Sequence, residues 1–105
     1  MAEFRQAGGK IDITATKAIA YHEVVVIGNI IAVASHSAKI GEKTSAYTEG
    51  VYEIKKGNEE ITQGAKVYLT ADGAITATAE GNTYAGIAWR NATANDVVAD
   101  VKINA

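Results

Sequence analysis

The sequence predicts a small all-β single domain, a barrel or a sandwich, and its choice of apolar residues carries that prediction. Among 105 residues there are twelve Ile and nine Val but a single Leu, together with ten Thr. Side chains branched at Cβ are restricted at χ1 and pack well on a pleated sheet, whereas helices favour Leu. A chain of roughly 100 residues forms one domain with a core of its own. A helical bundle is therefore excluded.

Alternation of apolar and polar residues predicts where the strands lie. Residues 10–14 alternate, which is typical of a half-buried strand. Residues 23–27 form a short Val-rich run, which predicts a central strand covered on both faces. Gly28 and Asn29 separate this run from residues 30–34. A Gly-Asn pair tolerates positive φ at low cost, so a two-residue hairpin is expected here.

The middle of the chain is more polar. Residues 35–45 are predicted to form a loop or an edge segment. Residues 46–54 are predicted to form one strand, with Gly50 at a bulge or close backbone approach. Residues 55–60 form a charged turn.

The last third of the chain has the clearest turn signals, because Asp-Gly and Gly-Asn pairs separate alternating runs. In total we expect about eight short strands, which is typical of a barrel or sandwich. The predicted elements here are strands within residues 66–70, 74–79, 84–89 and 96–104, and turns at Asp72-Gly73 and Gly81-Asn82.

One regular spacing stands out along the chain. Ile19, Ile40 and Ile61 lie 21 residues apart, each beginning a segment with a polar or glycine-containing turn. Few other positions match at that spacing. We therefore interpret it as recurring turn chemistry and not as a solenoid repeat.

No group of residues predicts catalysis or a cofactor. Residues 41–44 resemble the end of a phosphate-binding loop, but Glu42 separates Gly from Lys and the earlier glycine is missing. Ser35 and His36 are neighbours, and neighbours in an extended segment point to opposite faces, so no nucleophile–base pair is expected. The chain has no Cys and two His, which argues against thiolate chemistry and a metal site. We expect no enzyme activity, no catalytic residue, no metal and no cofactor.

Charge and hydropathy argue against two classes of partner. The formal net charge is −2 and the pI is about 5.6, whereas a general nucleic-acid binder needs a basic face to release counterions. The longest apolar run falls far short of the roughly 20 residues that span a membrane. We therefore expect no direct nucleic-acid partner and no membrane partner.

Residues 1–10 are predicted to form a flexible N-terminal arm and residues 11–105 the β domain. Phe4 is the one large apolar side chain on this arm. A lone apolar group on a flexible segment gains little in the free protein, so we expect the arm to dock on another molecule. The docking residues predicted on this arm are Glu3, Phe4, Arg5 and Gln6.

Tyr68, Trp89 and Arg90 are candidates for a subunit interface. Val67 and Leu69 share one face of their strand, so Tyr68 is expected on the other face, at a rim or interface. Trp89 beside Arg90 is a typical pair for an interface anchor, since Trp, Tyr and Arg dominate binding hot spots. The alternative, that Trp89 caps the core, remains open.

Short motifs follow one another along nearly the whole chain. They are Ile11-Asp12-Ile13-Thr14, residues 24–28, residues 31–34, Ile40-Gly41-Glu42, residues 49–53, residues 64–68, Tyr84-Ala85-Gly86 and residues 101–104. In this order and spacing they resemble the tailed-phage capsid cement (head decoration) proteins. The sequence departs from that family at residues 21–23, where its members usually carry a Gly-Asp turn before the Val run.

The resemblance implies a structural protein that binds the outer surface of an expanded phage or prophage capsid and stabilises it against DNA pressure. It implies the major capsid protein as partner, docking through the arm, and a homo-oligomer, with a trimer favoured. The expected location is the virion surface, after synthesis in the host bacterial cytoplasm. Members of the family are sometimes labelled RecA- or RadA-like phage recombinases, so the alternative is a recombination or nucleic-acid-binding accessory protein. A small tail or baseplate domain is a third reading.

Overall fold

The computed structural model describes residues 8–105, and these residues form strands, turns and loops without a helix. The prediction of an all-β domain is confirmed. The strands are β1 (Lys10–Thr14), β2 (Val24–Ile27), β3 (Ile30–Ala34), β4 (Lys43–Tyr47), β5 (Val51–Lys55), β6 (Lys66–Leu69), β7 (Ile75–Thr76), β8 (Thr83–Ala88) and β9 (Val98–Ile103).

The strands form two antiparallel sheets. The first sheet has the order β1-β4-β3-β2, and the second has the order β5-β9-β8-β6-β7. The predicted hairpin at Gly28-Asn29 joins β2 to β3, and Gly28 has a φ of 58°. The predicted turn at Asp72-Gly73 lies between β6 and β7, which pair antiparallel.

Strand β2 is an edge strand of the first sheet, so the prediction that residues 23–27 form a covered central strand is wrong. Its neighbour β3 is the buried one, with four of five residues inaccessible to solvent. The apolar run has another cause: Val24 and Val25 pack against two different apolar clusters, one on each face of the strand. Val26 remains about half exposed, at 51%.

Strand β4 corrects the prediction for residues 35–45. Its first residues, 43–45, were expected in a loop or edge segment, but β4 pairs with both β1 and β3. The long-range backbone ladder stabilises this polar segment, because of its five side chains only Ala46 is fully buried. The single strand predicted over residues 46–54 is also wrong: β4 and β5 belong to different sheets, and Gly50, with a φ of 117°, lies between them.

The two sheets repeat one topology. Strands β1, β2, β3 and β4 correspond in order to β5, β6, β8 and β9. The first sheet has the order β1-β4-β3-β2, and the corresponding strands of the second sheet follow the same order, β5-β9-β8-β6. We call residues 10–47 the first half and residues 51–103 the second half. Strand β7 is the additional element, and it has no counterpart in the first half.

The loops that precede β2, β4, β6 and β9 also repeat. In each half an isolated bridge joins two loops: Ile19 pairs with Ala38, and Ile61 pairs with Ala92. Ile19 and Ile61 therefore hold equivalent positions, whereas Ile40 lies in a turn and is 72% exposed. The constant spacing of 21 residues does not describe this repeat. Each of the four loops then makes a turn that is closed by one backbone hydrogen bond. The donors are the N–H groups of Glu23, Glu42, Ala65 and Asp96, and the acceptors are the carbonyls of Ala20, Lys39, Thr62 and Thr93, respectively.

The apolar core follows the same duplication but is unequal. The smaller cluster, in the first half, contains Ala15, Ile19, Ala34 and Ala38, with Ile13 and Val25 packed against it. The larger cluster fills the second half and extends to Ile31 and Val33 on β3. Since β3 contributes residues to both clusters, the two halves share one strand between their interiors.

The second sheet is closed upon itself, whereas the first is open. Lys56 directly follows β5, and it forms a parallel bridge with Ile75 of β7, at the opposite edge of that sheet. The buried Lys56 side chain donates hydrogen bonds from Nζ to the carbonyls of Gly57 (2.9 Å) and Glu59 (2.7 Å). Among residues 8–105, no bridge joins β1 to β2 in this way.

Thr48 lies between the two halves and forms hydrogen bonds with residues near both ends of the described chain. Its N–H donates to the carbonyl of Gly9 (3.0 Å) and its Oγ1 donates to the carbonyl of Gly8. The side chain of Asn104 donates from Nδ2 to the carbonyls of Thr48 (2.8 Å) and Ile31 (2.7 Å), and its Oδ1 accepts from the N–H of Ile31 (3.2 Å). Asn104 thus connects the last strand to the first sheet.

Candidate functional site

The outward side of the second sheet is a candidate interface, centred on β9. Buried residues of β9 alternate with Val98, Asp100 and Lys102, which point away from the core. Val51 of β5 lies directly opposite Lys102 and is 43% exposed. We define the Trp89 face as Val51, Trp89, Arg90, Val98, Asp100 and Lys102.

Trp89 follows β8 directly, and its main chain is held on both sides. Its N–H donates to the carbonyl of Asp100 (2.8 Å), and its carbonyl accepts from Nε2 of Gln63 (3.1 Å). Trp89 is 44% exposed, and Nζ of Lys102 lies 5.7 Å from the centroid of its ring, within the range of a cation–π contact. Trp89 therefore has a hydrogen-bonded main chain and a partly exposed side chain beside Lys102.

Arg90 contributes charge to the same surface. Its Nε donates to Oδ2 of Asp100 at 2.9 Å, and the two side chains are 71% and 32% exposed. An ion pair in solvent contributes little to stability because water screens it. The pair instead joins Arg90 to Asp100 of β9, while most of the Arg90 side chain remains exposed to solvent.

Tyr68 lies on the outward side of β6, as the alternation predicts, because Val67 and Leu69 are buried. It packs edge-on against Tyr84 of β8, with ring centroids 5.6 Å apart and an angle of 69° between the planes. The Tyr84 hydroxyl donates to the carbonyl of Ala105 (2.6 Å). Tyr68 thus packs against Tyr84, which lies near the start of β8, whereas Trp89 follows the end of that strand.

The structure brings Trp89 and Arg90 together but groups them with residues that were not predicted as an interface. Asp100 and Lys102 contact Arg90 and Trp89 respectively. The alternation of residues 96–104 already assigns these two side chains to the solvent face. Their contacts with Trp89 and Arg90, however, depend on the pairing of β8 with β9.

The predicted docking residues Glu3, Phe4, Arg5 and Gln6 lie outside the described residues. Of the ten residues predicted to form an arm, Gly8 and Gly9 are bonded to Thr48, and Lys10 is the first residue of β1.

Ser35 and His36 contradict the expectation that they point apart. The chain bends where β3 ends, and Oγ of Ser35 lies 3.0 Å from Nδ1 of His36. The same Oγ donates to the carbonyl of Ser45 (2.9 Å) and lies 2.8 Å from its hydroxyl. Because Ser35 is only 4% exposed and bonds to β4, this network joins the end of β3 to its neighbouring strand.

Two features are absent from residues 8–105. No three acidic or histidine side chains in this part of the chain lie close enough together to hold a metal ion. No helix there is long and apolar enough to cross a membrane.

Comparison with known families decides what kind of protein this is. Residues 5–103 match the family model for phage cement proteins. The chain belongs to the phage cement protein family. The family resemblance inferred from the ordered motifs is thereby confirmed. No curated protein and no solved structure shows significant similarity to this cement protein.

Membership in this family gives the protein a structural role on the phage capsid. A cement protein associates with the capsid shell of the virion, and its family is structural and not enzymatic.

Proposed function

We propose that this cement protein binds the outer surface of the expanded capsid and stabilises the shell against the pressure of packaged DNA. The observation that carries the proposal is the family match over residues 5–103. The small closed second half supports it, because a compact β domain with a fixed surface can contact a shell without rearranging.

The direct test is to add the purified protein to expanded capsids that lack it and to measure capsid binding and thermal disruption. We expect saturable binding and a higher disruption temperature, because a ligand that binds only the intact state stabilises that state by mass action. Unexpanded capsids are the control for the preference. Absence of binding to the expanded capsid would contradict the proposal, and salt-dependent binding to DNA would favour a nucleic-acid accessory role.

We further propose that the Trp89 face joins subunits of this protein in a trimer. A partly exposed Trp with a fixed main chain loses little conformational entropy on association, and Trp and Arg are typical of hot spots. Tyr68, which packs against Tyr84 at the other end of β8, is not part of this proposed contact. Trimers on the capsid also allow several weak contacts to act together.

Sedimentation equilibrium of Trp89→Ala tests this interface. We expect this variant to weaken self-association by about tenfold or more, as for a hot-spot residue. Tyr21→Ala is the matched control, since Tyr21 is also an exposed aromatic, at 64%, but lies in the first half. Equal self-association of the wild type and Trp89→Ala would contradict this interface.

We also propose that Glu3, Phe4, Arg5 and Gln6 dock on the major capsid protein. The support is the sequence, which puts one large apolar side chain among polar ones immediately before the Gly8 carbonyl that Thr48 holds. A chain lacking residues 2–7 retains β1, so we expect it to fold but to bind the capsid more weakly. Unchanged capsid binding by the shortened chain would exclude a docking role.

A further inference from the structure

The first half has a broad groove where the second half has β7. The groove lies between β1 and β2, the two outer strands of the first sheet, and reaches β5 and the β6–β7 turn. Ile13 and Val25 pack on the apolar cluster at its base. We call this feature the β1–β2 groove.

Every second residue of β1 points its backbone N–H and C=O groups toward the groove. Gly9 accepts from Thr48, and Ala15 donates to Glu42, so these residues face β4. Backbone groups alternate in direction along an antiparallel pair, and Asp12 and Thr14 therefore point theirs to the other side. Within residues 8–105, no hydrogen bond covers the N–H groups of Asp12 and Thr14.

Strand β2 does the same from the opposite side. Glu23 accepts from the N–H of Ala34, and Ile27 pairs with Ile30 across the hairpin, so these residues face β3. The backbone groups of Val26 consequently face the groove. No partner for them occurs in the described part of the chain.

The second half shows which kind of segment pairs with the corresponding edge, that of β6. Tyr68 of β6 holds the position equivalent to Val26, and Thr76 of β7 pairs with it. The strand β7 lies in a stretch of alternating Ala, Ile and Thr over residues 74–79. An extended segment with small and β-branched side chains therefore occupies this position when it is filled.

The charge of the groove indicates the complementary partner. Its lining contains four carboxylates, those of Asp12, Glu23, Glu53 and Asp72, against the two lysines Lys17 and Lys55. An acidic lining attracts an extended segment that carries basic residues. Strand addition to an exposed sheet edge is an established mode of peptide recognition, with the backbone supplying affinity and the side chains specificity.

We propose that the β1–β2 groove receives an extended, basic segment of the capsid subunit as an added strand, in the position that β7 occupies in the second half. This inference rests on the proposed binding to the capsid and assigns a site for it. Binding of this kind gives the first half the closed edge that the second half has on its own.

The test compares Val26→Lys with Val97→Lys in binding to expanded capsids. Both valines are exposed, at 51% and 72%, but only Val26 lies at the groove, and Val97 is also outside the Trp89 face. A lysine on an edge strand opposes strand addition, so Val26→Lys should weaken binding about tenfold, as loss of one or two hydrogen bonds does. Val97→Lys should change capsid binding by less than about threefold, as for a residue outside the contact. Thermal unfolding of both variants shows that they fold.

Hydrogen exchange of the wild type, free and capsid-bound, reads the added strand directly. We expect the amides of Asp12, Thr14 and Val26 to exchange rapidly in the free protein and to become protected on the capsid. Unchanged exchange on a capsid that binds the protein would overturn the groove assignment while leaving the proposed function intact. Failure of the wild type to bind any capsid would instead contradict the proposed function. Protection already present in the free protein, and lost without residues 2–7, would show that the arm fills the groove and would also overturn the assignment.

Discussion

The two halves of this protein follow the same path through space but differ at one edge. The first half connects β2 to β3 by the two-residue turn Gly28-Asn29, whereas residues 70–82 lie between β6 and β8 of the second half. That longer connection includes β7, which reaches Lys56 and closes the second sheet. A single local elaboration thus separates a closed half from an open one.

The difference teaches where the stability of the domain resides. Equivalent residues form the base of both interiors, for example Ile19 and Ile61, or Ala38 and Ala92. Most of the large buried side chains belong to the second half, among them Leu69 and Ile75, although Ile31 of the first half is also fully buried. Because apolar burial is the main favourable contribution to folding, we expect the second half to be the more stable one and the first to depend on it.

The largest effect on stability is expected from Gly86→Ala, at a position where the two halves differ. Gly86 is equivalent to Ala32 of the first half, but its φ is 149° and a Cβ there would lie 2.1 Å from the carbonyl oxygen of Lys102. Relieving that overlap must move β8 away from β9, so we expect a loss of about 3 kcal/mol or more in the free energy of unfolding. Urea denaturation measures it.

Ala32→Gly is the control for this substitution at the equivalent position. It removes one buried methyl group and adds backbone freedom, so we expect a loss of about 1 kcal/mol. Similar losses for the two variants would show that the close approach of β8 and β9 is not a special feature of the second half.

A smaller effect is expected from Asn104→Ala, which removes the connection between the halves. Three backbone groups, on Ile31 and Thr48, lose their partner, and the positive φ of 56° at this position favours Asn over Ala. We expect a loss of about 2 kcal/mol, measured by urea denaturation, because buried groups without partners are costly. Asn58→Ala changes an exposed Asn and should have almost no effect. If Asn104→Ala were equally neutral, the halves would be joined by apolar packing alone.

The smallest effect concerns pH and the tyrosine pair at the junction. Burial raises the pKa of Tyr52, and neighbouring Tyr47 of the first half raises it further. The unfolded chain therefore releases this proton at lower pH than the folded protein. The stability from the neutral phenol is complete below pH 10, near the unfolded pKa, and is lost as the pH rises through the higher folded pKa.

The measurement compares the wild type with Tyr52→Phe, which cannot ionise, in urea denaturation between about pH 8 and pH 11, the range around the tyrosine pKa. The wild type should lose more stability over this range. Parallel profiles for the two proteins would show that Tyr52 loses no solvation at the junction.

Local signals predicted the turns well, and the all-β class followed from composition. Gly28-Asn29 and Asp72-Gly73 encode their own backbone conformation, so their hairpins needed no distant partner. The predicted strand over residues 74–79 is shorter, because only Ile75 and Thr76 pair with β6. For β2 and β4 the local pattern was misleading. The apolarity of β2 reflects contacts with two clusters, and β4 is stabilised by a ladder on both sides that its own residues do not reveal.

The duplication escaped prediction because the halves share few identical residues and their loops differ in length. Ile19 matches Ile61, but the longer connection before β8 changes the spacing that relates Ala38 to Ala92. Of the candidate interface, Trp89 and Arg90 could be recognised by residue type. Their neighbours Asp100 and Lys102 required the register of β8 against β9. The predicted docking residues Glu3, Phe4, Arg5 and Gln6 lie outside the described residues, so their docking stays a prediction.

Thr48 gives the chain the form of two closed rings. Gly8 and Thr48 are 40 residues apart and hydrogen-bonded, and Thr48 and Asn104 are 56 residues apart and hydrogen-bonded. The entropy of closing a loop grows only with the logarithm of its length, so both rings incur nearly the same ordering cost. A pull applied between residues 8 and 104 therefore acts directly on the hydrogen bonds of Thr48 and on those that Asn104 makes with Ile31 of β3.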